Sequence, residues 1–278
     1  MNIKSTIDAQ KSVSKALSLF DSHCHLDDHG YFKDIEGILR NAKEAGVCEM
    51  LTVGVDLNSS QRAVELAESN RGVYASVGVH PHDAKSCDDD AVEALTALAG
   101  KKAVRAWGEI GLDFNRMYSP REDQEKWFVR QLQAADSLGL PLIFHERDSQ
   151  GRFLEILKSH LNPKSNGVVH CFSGNAADLS AYLDLGLYIG VTGIVTIKTR
   201  GADLRELVPQ IPLNRLLIET DAPYLTPAPQ KNKVRRNEPA FVKSVLLKLA
   251  EVRQEDPVML AEATTANARR LFNIPPVA

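Results

Sequence analysis

"AVRAWGEIG" (103–111), "DQEKWFVRQLQAADSLG" (123–139) and "PLIFHE" (141–146) read together as one strand–helix–strand unit. The outer runs are almost continuously apolar, as expected of parallel strands covered on both faces. Between them Trp127, Phe128, Leu132, Ala135 and Leu138 recur near one helical face, and Gly139 supplies a stop. The same alternation runs along the chain. "LSLFD" (17–21), "EMLTVGVD" (49–56) and "VYASVGVH" (73–80) precede this unit. "GVVHCF" (167–172), "LYIGVTG" (187–193) and "RLLIETD" (215–221) follow it. Two further helices are expected over 90–100, opening at an N-cap candidate and closing at Gly100, and over 238–252, with Pro239 early in the helix. Eight strands alternating with helices in about 250 residues point to a (β/α)8 TIM barrel in place of a doubly wound sheet.

Composition agrees with that class. The chain has 278 residues, 44% apolar and 25% charged, which excludes fibrous and disordered classes. A net charge of −3 argues against attachment to nucleic acid by global charge, but not against a nuclease acting through metal ions and local arginines. Cys24, Cys48, Cys87 and Cys171 show no CxxC spacing, so reduced thiols are expected in place of a disulfide scaffold or structural zinc. No apolar run reaches the roughly 18 residues of a membrane span. Residues 1–16 are read as a polar N-terminal extension of a cytoplasmic protein, and 17–278 as a single catalytic barrel domain. The irregular "PYLTPAPQKNKVRRNEP" (223–239) follows the eighth strand and is expected over the barrel mouth.

The chemistry gathers at the strand ends. His23 and His25 follow the first run, His80 ends the third, and Glu109 lies near the end of the fourth. His145 and His170 lie at the ends of the fifth and sixth, and Asp221 closes the eighth. In a barrel all these positions converge on the C-terminal mouth, where barrel active sites lie. A lone strand-end histidine is ordinarily a satisfied polar residue. The His-x-His spacing of 23 and 25, however, points both rings the same way on extended backbone. A carboxylate such as Glu109 can bridge two cations. Asp221 can hold a metal and take a proton from water. Two ions about 3.5–4 Å apart suit a phosphoryl displacement, and mixed nitrogen and oxygen donors suit several metals. His29, His82 and His160 have weaker cases, His160 as a helix-end residue. Cys24 and Cys171 are read as packing residues, and Asp113 and Asn115 as supporting or loop-shaping ones.

At these residues the chain resembles the TatD family of metal-dependent deoxyribonucleases, within the amidohydrolase-like TIM barrels of the metallo-dependent hydrolase type. The resemblance is carried by "FDSHCHLD" (20–27), "SVGVHPHDA" (76–84), "GEIGLDFNR" (108–116) and "PLIFHERD" (141–148). "GVVHCFSGN" (167–175), "YIGVTGIVT" (188–196), "LLIETDAPYLTP" (216–227) and "RRNEP" (235–239) complete it, in order, from about residue 17 onward. It implies metal-ligand roles for His23, His25, Glu109, His145, His170 and Asp221, with Asp221 and Glu109 catalytic. It implies phosphate contacts for His80 and Arg147, whose guanidinium matches a phosphate bidentately. The alternative for Arg147 is a salt bridge to Glu146 or Asp148. "DFNR" and "RRNEP" place the resemblance closest to the TatD-proper branch. That branch implies a 3′→5′ exonuclease on single-stranded DNA, with RNA as a further substrate, and a role in DNA repair or nucleic-acid turnover. Two divalent ions are implied, Mg first and Mn or Zn as alternatives; no membrane or obligate protein partner is expected.

Two other readings use the same barrel. An amidohydrolase acting on small esters, amides or aminoacyl esters would employ the same metals, although many such enzymes carry a carboxylated lysine where Glu109 stands. A non-catalytic nucleic-acid-binding barrel would bind without turnover. Lys231, Lys233, Arg235 and Arg236 either grip a nucleic-acid backbone or form a solvated basic loop.

Overall fold

The computed structural model describes residues 17–275. The extension expected over 1–16 and the last three residues lie outside them. Among the described residues eight parallel strands form one sheet in sequential order. They are β1 (Leu19–Cys24), β2 (Val47–Val53), β3 (Val73–Val77), β4 (Val104–Asp113), β5 (Leu142–Arg147), β6 (Gly167–Val169), β7 (Tyr188–Val191) and β8 (Leu216–Ile218). The helices are α1 (Ile35–Glu44), α2 (Leu57–Ser69), α3 (Asp89–Ala99), α4 (Arg121–Leu138), α5 (Arg152–His160), α6 (Ala176–Asp184), α7 (Ala202–Leu207), α8 (Val242–Arg253) and α9 (Pro257–Leu271). This is the expected (β/α)8 architecture. No helix among the described residues is long and apolar enough to cross a membrane.

Alternation along each strand divides the core. Phe20, Leu51, Val53, Ala106, Ile143, Val168 and Leu217 form one cluster, joined by Leu271, Phe272 and Ile274 from the end of α9 and beyond. Their strand neighbours Leu19, Met50, Trp107, Phe144, Val169 and Leu216 belong to the second cluster, shared with the helices. Both faces of the sheet are therefore dry, which is why its strands read as continuous apolar runs.

Helix signals largely hold. Gly139 ends α4 in the left-handed conformation, and Asp88, not Asp90, caps α3 by accepting from the Ala91 amide. Pro239 starts a short 3-10 turn, and α8 proper begins at Val242.

Strand ends differ more. β1 runs on to Cys24, so His23 lies inside the strand. The extension is polar because those side chains close the barrel against β8. The Asp21 carboxylate accepts from the Thr220 amide (2.9 Å) and hydroxyl (2.6 Å), and Ser22 donates to the Ile218 carbonyl. The β1–β8 seam otherwise rests on a single bridge, Cys24 to Ala222. β3 and β8 stop short at Val77 and Ile218, leaving His80 and Asp221 on the loops beyond.

Candidate metal centre

The site grows from the one carboxylate at its middle. Glu109 is buried in β4, opposite the β5 residues that carry His145. Its Oε1 lies 2.8 Å from His145 Nδ1, 3.3 Å from His170 Nε2 and 3.6 Å from His80 Nε2. Its Oε2 lies 3.4 Å from His23 Nε2. His23 Nε2 is in turn 3.3 Å from His25 Nε2 and 3.7 Å from Asp221 Oδ1, while His25 Nε2 and Asp221 Oδ1 are 3.3 Å apart. Two groups of donors thus meet on the two oxygens of one carboxylate. Glycine makes this approach possible. Gly111 has φ +144°, and a Cβ there would run into the His145 carbonyl.

Neighbouring groups decide which ring nitrogen faces the centre. His25 Nδ1–H donates to the Val53 carbonyl (3.2 Å), and His170 Nδ1–H to Glu219 Oε1 (3.0 Å). In both rings Nε2 is left as the inward-facing nitrogen. His145 lies between Glu109 on Nδ1 and Asp113 Oδ2 on Nε2 (3.2 Å). His80 is different. Its Nδ1 accepts from the His82 amide (3.0 Å), so the neutral ring carries its proton on the inward Nε2. A protonated nitrogen has no lone pair for a metal but can donate to a phosphate oxygen.

Electrostatics follow the same pattern. Burial opposes charge on Glu109, yet the rings of His170, His80 and His23 hold its carboxyl well below the usual range. Burial also opposes charge on Asp221, which His25 and His170 keep low. His25 is pushed up to about 9 because the Asp221 contact outweighs burial, and His145 to about 9 through Asp113 and Glu109. Burial, with His145 beside it, drives His80 well below its ordinary value.

The donor set fits divalent cations. His23, His25 and Asp221 form one group of mutually close ligand atoms and His23, Glu109 and His170 another; Glu109 and His145 form a third with His80, whose protonated Nε2 makes it a donor there and not a ligand. His23 Nε2, 3.3–3.7 Å from donor atoms of His25, Glu109 and Asp221, is the atom that the first two groups share.

The structure thus gathers seven of the eight expected site residues. Arg147 ends β5, half-buried, and neither suggested salt bridge forms. Glu146 accepts from Ser149 and Asp148 from Asn115 instead. Of the four basic residues after β8, Arg236 is committed to an ion pair with Asp34 and covers the Tyr31 ring; Lys231, Lys233 and Arg235 are exposed. His160 is the exposed last residue of α5, as expected. His29 is also exposed, with its ring against Phe32.

Three carboxylates support the centre: Asp113, expected as a supporting or loop-shaping residue, and Glu219 and Asp27, to which the sequence assigned no role. Glu219 receives His170 Nδ1–H, the Cys171 amide and the Ser22 hydroxyl. Its place in the run 215–221, two residues before Asp221, was the available signal. Asp113 accepts from both His82 (2.8 Å) and His145, and also caps the turn at Asn115 and Arg116. Asp27 is buried and accepts from Ser59 and Arg62, tying the β1 loop to α2. Burial raises the Cys24 and Cys171 thiols, which keeps both protonated.

A model of the family described as TatD related DNase matches residues 20–273. The 3′-5′ ssDNA/RNA exonuclease TatD of Escherichia coli K12 is 42% identical over 258 residues, 92% of this chain and 99% of that protein. Its counterpart in Citrobacter rodentium is 44% identical over 258 residues, with 92% and 98% covered. Among solved structures, the TatD homologue YJJV of Escherichia coli K12 superposes with a TM-score of 0.84 at 32% identity, covering 92% of this chain and 98% of its own. A TatD family hydrolase from Entamoeba histolytica gives 0.85 at 26% identity, covering 94% and 100%. With the family model matching nearly the whole barrel, this chain belongs to the TatD-related DNase family.

Proposed function

We propose that the chain is a metal-dependent phosphodiesterase that removes nucleotides from the 3′ end of single-stranded DNA, with RNA as a second substrate. The observation that carries this reading is the meeting of two donor groups on the two oxygens of Glu109. The names of the relatives, each a 3′-5′ ssDNA/RNA exonuclease, support the direction and the substrate.

His23, His25 and Asp221 with one Glu109 oxygen would hold one divalent cation, and His145 and His170 with the other oxygen a second. Magnesium is the first expectation, with manganese or zinc as alternatives. When bound, such ions supply charge neutralisation at the phosphate and a more acidic water. The remaining work falls to side chains. Asp221, kept ionised by its histidines, accepts the proton of the attacking water. His80 donates from Nε2 to a phosphate oxygen, a role consistent with its fixed tautomer. Arg147, free of Glu146 and Asp148, offers its guanidinium to the same phosphate. A cytoplasmic enzyme of DNA repair or nucleic-acid turnover is the setting this activity fits.

End-labelled single- and double-stranded DNA and RNA, digested with Mg²⁺ and resolved by length, test the proposal. A ladder eroding from the 3′ end of single strands, stopped by EDTA, is the expected result. Asp221→Asn should lower kcat by about 10²-fold or more, the scale of losing a general base. Turnover of small esters or amides with nucleic acids untouched would transfer the barrel to the amidohydrolase reading.

A further inference from the structure

Two aromatic rings stand at the mouth in an arrangement that neither the fold nor the metal centre requires. Tyr224, on the loop after β8, is 54% exposed, and its ring lies edge-on to His25 at 5.8 Å. It is nevertheless anchored. Its hydroxyl donates to Asp28 Oδ2 (3.1 Å), its amide to the Asp221 carbonyl (2.8 Å), and its carbonyl accepts from Asn237 (2.6 Å). Tyr118, on the loop after β4, is 53% exposed and lies edge-on to His82 at 4.8 Å. Arg116 donates to its hydroxyl (3.3 Å), and the adjoining Ser119 donates to the His82 carbonyl (2.7 Å). One ring thus flanks the His25–Asp221 donors, and the other flanks the His80–His82–His145 group.

We propose that Tyr224 and Tyr118 are stacking surfaces for the two bases on either side of the scissile phosphodiester, and that they make the mouth selective for unstacked single strands. The proposal rests on the phosphodiesterase reading above and assigns residues to its substrate preference. A half-exposed ring held by its hydroxyl and backbone has already lost its rotamer freedom, so a base can cover it at low entropic cost. Every nucleobase offers a π-face, which makes the contact tolerant of sequence. A base inside a duplex has both faces covered by its neighbours and cannot use it. Charge points the same way. Exposed Lys231, Lys233 and Arg235 share the Tyr224 segment, and exposed Arg116 shares the Tyr118 loop, where they can follow a phosphate backbone.

Steady-state kinetics in Mg²⁺ on a single-stranded oligonucleotide, and on the same strand with one abasic residue at the terminal or penultimate position, test this. Tyr224→Ala and Tyr118→Ala should each raise KM roughly 5- to 150-fold, the range of one base–aromatic stack, with a much smaller change in kcat. Tyr224→Phe and Tyr118→Phe, which keep the ring, should stay close to wild type. An abasic residue opposite a given tyrosine should raise the wild-type KM comparably and remove most of that tyrosine's effect. Alanine variants with wild-type KM on the intact strand would overturn the proposal while leaving the nuclease reading standing. Equal losses on intact and abasic strands would also overturn it, showing that the rings only support their loops. Wild-type protein that cleaves no single strand in Mg²⁺ would overturn both.

Discussion

At the scale of the residue, function rests on which nitrogen or oxygen each side chain presents. Glu219 touches none of the shared donor atoms around Glu109, yet it fixes the His170 ring through Nδ1 and holds the backbone at Cys171, whose φ is +48°. Glu219→Gln retains the shape but loses the charge that favours the Nδ1–H tautomer. It should lower metal affinity or kcat/KM by about 10- to 100-fold, the usual cost of a lost group behind a metal ligand; calorimetric metal titration with circular dichroism separates this from misfolding. The histidines also set a pH dependence. His25 and His145 are both raised to about 9 in the metal-free protein. Their contribution to the stability of that form is complete below their unfolded value of about 6.5 and is lost as pH rises towards 9. A cation must displace the same protons, so its apparent affinity should climb from pH 6 to 9 with proton release. Calorimetry in buffers of different ionisation enthalpy measures this directly. An affinity flat across that window would show both rings already neutral.

At the scale of the element, the strands deliver ligands only as closely as their backbones pack. β4 and β5 are in register from Ile110↔Phe144 to Asp113↔Arg147, and Glu109 and His145 meet beside this ladder. Gly111 is the point of closest approach. Gly111→Ala combines a poor φ with a clash against the His145 carbonyl and should cost about 2–3 kcal/mol. Because the clash falls on a ligand-bearing residue, kcat/KM should fall as well; chemical denaturation and kinetics on one preparation read both. The segment after β8 is pinned to the barrel through one residue. Asn237 is fully buried and donates to the Thr220 and Tyr224 carbonyls, while the Tyr31 hydroxyl donates to its carbonyl. These contacts tie the segment to the end of β8 and to the loop after β1, where Arg236 turns to Asp34.

At the scale of the whole molecule, the centre ties together β1, β4, β5, β6 and β8 or the loops that leave them. The β1–β8 seam is the thinnest part of the sheet, and His23, His25 and Asp221 straddle it. A cation bound there binds the folded barrel alone, so saturating Mn²⁺ or Mg²⁺ should stabilise it by about 2.7 kcal/mol at a hundredfold excess over Kd. Thermal melts should show an upward shift in Tm, reversed by EDTA. Replacing Asp221 should shrink that shift more than replacing Arg147, whose guanidinium is always protonated and has no lone pair for a metal.

The sequence by itself determined the alternation of strands and helices, since each apolar run and each 3.6-residue pattern is a local property of the chain. It also supplied the six proposed ligands, because histidines and carboxylates at strand ends have one destination in a parallel barrel. Strand limits were less legible. β1 continues beyond Asp21 to Cys24 because it stays paired with β2 as far as Cys24↔Thr52, while Ile218 and Thr220, at and beyond the end of β8, take up the Ser22 and Asp21 side chains. Glu219 behind His170, His82 beside Asp113, and Arg236 drawn off to Asp34 were decided by the tertiary structure alone. Those partners lie 49, 31 and 202 positions apart. A hydrogen bond or ion pair between such residues is set by how the barrel closes and its loops fold, and no pattern within either segment encodes it.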